Sequence, residues 1–177
     1  MPETSYASIP EPPAEYTAPT VLSRFIDGLG FRYHWATHGL SGEVLQYRPE
    51  PSCRSIAETL EHIHNIVDMV QHSLRRERYS LPEPAIPADL DVRTATLQKI
   101  AAVSDALRAL EPAEVQHLST QFRVGDDDLD FPFWYTINGT MSDALYHLGQ
   151  VVVLRRAAGH RMHPEVNVFA GVGPSGA

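Results

Sequence analysis

Four stretches of the chain carry apolar residues at the three- and four-residue spacing of an amphipathic helix, and proline-containing connections separate them. In the second stretch this apolar face comprises Ile56, Leu60, Ile63, Val67 and Val70. The spacing predicts helices over residues 20–38, 53–78, 91–110 and 140–159. Helices of this length bury their apolar faces against one another, so the predicted fold class is all-α, an antiparallel four-helix bundle with long irregular connections.

The beginning of the chain has a different composition from the helical stretches. Residues 1–19 hold five of the fourteen prolines, which excludes a helix interior or a central strand there. We expect an extended arm over residues 1–19 that lies along the bundle or on a partner subunit. The bundle itself is predicted to span residues 20–160, followed by a tail over residues 161–177.

Charge and cysteine content narrow the classes of partner. The chain has 177 residues and a formal net charge of −8, which disfavours nucleic acid and anionic membrane surfaces as partners. The basic pair Arg155–Arg156 is expected to be the solvated end of a helix. Cys53 is the single cysteine, so an internal disulfide is excluded. No stretch approaches the roughly 18 apolar residues of a membrane span, and no signal peptide is evident, so we expect a cytoplasmic protein.

The last helical stretch carries the residues best suited to chemistry. Asp143 and His147 are four residues apart, so on a helix they lie one turn from each other on the same face. A carboxylate and an imidazole placed in this way can bind one divalent metal ion, with a third ligand from another helix. His62 and His64 flank the apolar face of the second helix on opposite sides, and the spacing does not choose between them. The alternative interpretation is an Asp–His hydrogen-bonded pair without a metal.

Two other polar patterns in the sequence are alternative candidates for a metal site. His34 and His38 are also four residues apart, but His38 directly precedes Gly39, where a histidine favours a helix C-terminus. The acidic run over residues 125–130 lacks the ligand spacing of a calcium-binding loop, which indicates a solvated turn. The segments on either side of it, residues 121–124 and 131–134, are expected to be extended.

Two motifs resemble the DinB/YfiT-like superfamily of metal-dependent enzymes. Residues 55–63, SIAETLEHI, resemble its second-helix motif, and residues 134–159 resemble the closing helix of one DinB-like branch, with Asn-Gly before D-x-x-x-H-x-G-Q. Residues 164–171, PEVNVFAG, resemble the segment that follows this helix. The resemblance implies a four-helix bundle, often dimeric, that binds one divalent ion through His62, Asp143 and His147. Many relatives have a second histidine where this chain has Asp143, and the carboxylate makes the site harder and more anionic.

The resemblance also implies a function. A bound nickel, zinc, iron or manganese ion would activate water, as in a hydrolase, or a low-molecular-weight thiol, as in a transferase. Glu58 and Gln150, one turn from His62 and His147 respectively, are the candidates to hydrogen-bond the ligand rings. The alternative function is a non-catalytic metal-binding or stress-response bundle. We expect a homodimer acting on a small molecule that the sequence does not identify.

Overall fold

The computed structural model describes residues 6–174, and within them the chain forms a helical bundle with a small sheet on one side. The helices are α1 (Ala18–Thr37), α2 (Ile56–Arg75), α3 (Val92–Arg108) and α4 (Ser142–Ala157). The strands are β1 (Tyr79–Leu81), β2 (Ser119–Val124) and β3 (Asp127–Pro132). Short 3₁₀ turns cover Gly42–Gln46 and Pro112–His117, and a π-helical turn covers Thr136–Met141.

The prediction of an all-α fold is therefore wrong in part. Strand β2 pairs antiparallel with β3 and parallel with β1, giving the strand order β1-β2-β3. The two segments expected to be extended lie in or next to β2 and β3, whereas β1 falls in a stretch that the prolines indicated to be a connection. The acidic run over residues 125–130 is exposed, but only residues 125–126 form a turn, so the expectation of a turn over the whole run was wrong. Asp128 and Asp130 lie on β3 and pair with Arg78 at 3.1 and 3.0 Å.

Local signals set the start of α2. The Ser55 hydroxyl accepts a hydrogen bond from the Glu58 backbone N–H at 3.2 Å, and the Glu58 carboxylate accepts one from the Ser55 N–H at 2.7 Å. This reciprocal capping box satisfies two N–H groups that the first helical turn leaves without partners. The helix consequently begins at Ile56, three residues later than the sequence pattern predicted.

The bundle core lies where α3 packs against both α1 and α2 and where α4 packs against α2. Each helix contributes fully buried apolar side chains to it, among them Tyr33, Ile63, Ile100 and Val151. Because the apolar faces of α2 and α4 point into this core, the edges of the two helices are free to carry polar side chains at the seam between them.

The described part of the N-terminal arm packs on its own bundle. Tyr6 is only 3% exposed, and its ring lies against Gly30, where a Cβ atom would come within 2.7 Å of it. The Trp35 indole N–H donates to the Ala7 carbonyl at 3.1 Å, and the Ile9 N–H donates to the Gly171 carbonyl at 2.8 Å. Arm and tail thus meet beside α1, which gives the proline-rich segment fixed contacts.

The expectation that Arg155 is solvated was wrong. Its side chain is not the solvated end of a helix, because it is only 5% exposed. The guanidinium donates to five backbone carbonyls, those of Trp35, Ala36, His38, His160 and Arg161. It therefore joins the end of α1 to the end of α4 through the carbonyl groups that helix C-termini leave without partners.

Within residues 6–174, none of the helices has the length and apolar character that crossing a bilayer would require.

Candidate metal centre

Helices α2 and α4 bring His62, Asp143 and His147 together at their seam. The His147 Nε2 atom lies 3.4 Å from the Asp143 Oδ2 atom, and the His62 Nε2 atom lies 4.0 Å from the same oxygen. The two imidazole rings are nearly perpendicular, with centroids 4.6 Å apart. One donor atom from each of the three side chains lies within 4.8 Å of the other two.

These donors fit a divalent transition metal. With metal–nitrogen bonds of about 2.0–2.1 Å, tetrahedral ligands lie about 3.4 Å apart. The His147–Asp143 separation of 3.4 Å equals this value, the His62–Asp143 separation of 4.0 Å exceeds it, and all three donors lie within 4.8 Å of one another. Two nitrogens and one oxygen are also the type of ligand set that leaves positions for water or substrate, whereas structural zinc sites are closed by four protein ligands.

Gln150 fixes the orientation of the His147 ring. The His147 Nδ1 atom lies 3.0 Å from the Gln150 side-chain oxygen. An amide oxygen only accepts hydrogen bonds, so Nδ1 donates to Gln150, and Nε2, which lies toward Asp143, is the ring nitrogen available to a metal ion. Gln150, one turn after His147, thus contacts its ring, and its role beside a metal ligand stays a prediction.

Glu83, rather than Glu58, faces the other histidine. The His62 Nδ1 atom lies 3.9 Å from Glu83 Oε1, and the Asn65 side chain donates to the other Glu83 oxygen at 2.8 Å. The expectation for Glu58 was wrong, because its carboxylate caps α2 at Ser55 and pairs with Arg48 at 3.0 Å. Glu83 lies in the connection after β1, where no periodicity could have identified it.

Burial and charge favour the neutral form of the His62 ring. Its pKa is lowered mainly by burial and then by the positive charge of Arg54 and by His147, while Glu83 and Asp143 act in the opposite direction. A neutral imidazole is the form that binds a metal ion. The Asp143 side chain is 46% exposed against 11% for His147, so the group of donors is accessible from solvent on the Asp143 side.

The other histidines have different partners. His64 is buried and its Nδ1 atom lies 2.9 Å from the Thr96 hydroxyl on α3, so it is His62 that lies at the seam with α4. The rings of His34 and His38 stack at 6.0 Å beside Trp35. In the part of the chain that the structure describes, neither belongs to a group of three potential ligands.

Two cavities adjoin the three residues. The smaller, about 400 Å³, is lined by His62 and Asp143 together with the π-helical turn Thr136–Met141 that precedes α4. The larger, about 660 Å³, has His147 and Gln150 in its wall. Tyr146 lines both cavities, so ligands could approach the donors from two directions.

Comparison with known proteins identifies the fold. No protein-family model matches the chain, and no curated protein sequence matches it. Among solved structures, the chain is similar to YfiT from Bacillus subtilis, described as a probable metal-dependent hydrolase with an unusual four-helix bundle topology. The TM-score is 0.56 at 12% identity, and the match covers 88% of this chain and 98% of YfiT. At this identity the likeness is one of fold alone, and it agrees with the four-helix bundle predicted from the sequence.

Proposed function

We propose that this protein is a metal-dependent enzyme of the hydrolase type, with one divalent ion bound by His62, Asp143 and His147 between α2 and α4. The observation that carries the proposal is the convergence of two imidazoles and one carboxylate within 4.8 Å. The description of YfiT as a probable metal-dependent hydrolase on the same fold favours this chemistry. The donor types suit zinc, nickel, iron or manganese.

The residues around the site have defined roles in this proposal. Gln150 holds the His147 ring through a 3.0 Å hydrogen bond, Glu83 lies 3.9 Å from Nδ1 of His62, and both Nε2 atoms face Asp143. Asp143 supplies a negative charge, which offsets part of the charge of a divalent ion. A bound ion would supply Lewis acidity and would lower the pKa of a bound water toward neutrality. The 46% exposure of Asp143 leaves access for water and substrate.

The transferase version of this function uses the same site. A thiol substrate would bind the ion as a thiolate, because a divalent metal favours deprotonation of a coordinating thiol. The larger cavity beside His147 provides room for such a second substrate. Hydrolysis and thiol transfer therefore differ in the nucleophile and not in the proposed ligands.

Turnover measurements test the proposal directly. Protein reconstituted separately with zinc, nickel, manganese and ferrous iron is assayed against chromogenic esters, amides and phosphoesters, with and without a small thiol. We expect metal-stimulated turnover that Asp143→Ala abolishes. The control Asp89→Ala changes an exposed carboxylate outside the site and should leave turnover unchanged.

The absence of turnover with every metal would contradict the enzymatic proposal. If the metal nevertheless bound stoichiometrically, the result would favour the non-catalytic metal-binding bundle. Equal turnover in wild type and Asp143→Ala would instead remove the assigned site.

A further inference from the structure

The larger cavity has the size and composition of a small-molecule site. Its volume of about 660 Å³ falls within the range of roughly 300–1,000 Å³ that is typical of ligand pockets. One wall comes from the segment before α2 and includes Pro49, Cys53 and Arg54, and the other comes from residues 146–154 of α4. Val153 and Leu154 make part of this wall apolar, and His147 places it next to the candidate metal ligands.

Arg54 is the charged side chain in this wall. Among the residues that the structure describes, no Asp or Glu lines the cavity, and no carboxylate lies within ion-pair distance of Arg54. Arg48, a few residues earlier, shows the contrast, because it pairs with Glu58 at 3.0 Å. The cavity thus combines an apolar wall with an unpaired guanidinium.

We propose that this cavity binds the substrate and that the substrate is an amphipathic organic anion. Arg54 binds its carboxylate or other anionic group, the apolar part contacts Val153 and Leu154, and the reacting part lies beside His147. A guanidinium suits this role because its planar set of N–H donors matches the geometry of a carboxylate. The assignment of the ligand as substrate rests on the proposed metal-dependent function, whereas binding of the anion does not.

Two glycines provide matched variants for locating the ligand. Gly149 lines the larger cavity and Gly139 lines the smaller one, and at both positions a Cβ atom would meet no heavy atom within 4 Å. Neither has the positive φ that would make a side chain strained. Gly149→Leu therefore fills the larger cavity without a backbone clash, and leucine is a better helix former than glycine. Gly139→Leu is the control that fills the smaller cavity.

The experiment uses a pair of fluorescent probes on metal-free, full-length protein. Anilinonaphthalene sulfonate is apolar with one negative charge, and phenylnaphthylamine has a similar aromatic body without the charge. We expect Arg54→Gln to weaken sulfonate binding about tenfold, as loss of a partly exposed charged hydrogen bond would. The neutral probe should bind Arg54→Gln as it binds wild type. Gly149→Leu should abolish binding of both probes. Gly139→Leu should leave binding of both probes unchanged.

Several results would overturn the inference. These are the absence of sulfonate binding to wild type, equal loss of the two probes in Arg54→Gln, or blockage by Gly139→Leu instead of Gly149→Leu. The variant Arg156→Gln removes an exposed arginine elsewhere on α4 and must behave as wild type, because otherwise net charge alone explains the effect. Metal content is measured separately on the same proteins. A lack of metal with the expected probe pattern would refute the proposed function and leave the anion site intact.

Discussion

Replacement of Arg155 by methionine should destabilise the protein strongly, although Arg155 lies outside the candidate site. The guanidinium donates five hydrogen bonds to backbone carbonyls at 2.8–3.3 Å. Methionine keeps most of the side-chain length but leaves these carbonyls without their donor. At a net value of about 1 kcal/mol for each bond, the loss approaches about 5 kcal/mol. Burying the guanidinium costs free energy in the wild type, and the same burial lowers the pKa of Arg155. This cost offsets part of the hydrogen-bond energy, so we expect Arg155→Met to lower the free energy of unfolding by about 3–4 kcal/mol.

Thermal and urea unfolding measure this effect. For a domain of 177 residues, 1 kcal/mol corresponds to about 2–4 °C, so Arg155→Met should lower Tm by about 10 °C. The matched control is Arg156→Met, because Arg156 is exposed and should change stability by less than about 0.5 kcal/mol. Arg155→Lys should fall between the two, since one ammonium cannot reach five carbonyls. A loss below about 1 kcal/mol in Arg155→Met would refute the reasoning.

Three further predictions concern burial, pH and assembly. In urea unfolding at neutral pH, Arg108→Met should destabilise the protein more than Asp27→Asn. The first variant leaves the buried Asp27 carboxylate without its cation, whereas the second leaves the Arg108 guanidinium, which is 36% exposed and can be hydrated. A larger loss in Asp27→Asn would contradict this account. Burial, Arg93 and His38 lower the pKa of His34 from 6.5 to about 4, so the unfolded chain takes up the proton first as pH falls. The stability that the neutral His34 ring contributes is complete above about pH 6.5 and is lost as the pH falls toward 4. The free energy of unfolding of His34→Leu should therefore change less with pH in this window than that of wild type, and an unchanged slope would contradict the role of His34. The homodimer stays a prediction, which light scattering checks: twice the chain mass of 19.7 kDa is expected, and a single-chain mass would contradict it.

The sequence contains strong local evidence for the parts of the fold that depend on neighbouring residues. The apolar period of α2 is readable within one short stretch, and the structure confirms a helix there that begins at the Ser55–Glu58 capping box. Asp143 and His147 were paired by helical spacing alone. Spacing did not choose between His62 and His64, and the resemblance to DinB-like proteins did so before the structure placed His62 at the seam.

The parts that sequence reasoning missed depend on distant partners. Strand β1 has three residues, too few for any periodicity, and it exists because β2 lies beside it. Glu83 follows that strand in an irregular connection, and only the packing of the connection beside α2 brings it to His62. Arg155 has the sequence context of a solvated helix end, and its carbonyl partners on α1 lie more than a hundred residues earlier. A polar side chain whose hydrogen-bond partners lie on the backbone of a distant element leaves no pattern in the sequence around it.

The most direct test of the central claim is the metal content of purified, untagged protein, measured by mass spectrometry after loading with zinc, nickel or manganese and removal of excess ion. The proposed site predicts about one ion per chain in wild type and in the control His117→Ala, which changes an exposed histidine. It predicts loss of that ion in His62→Ala and in His147→Ala, with circular dichroism showing that both remain helical. Full metal content in either site variant, or no metal in wild type under any loading condition, would contradict the account.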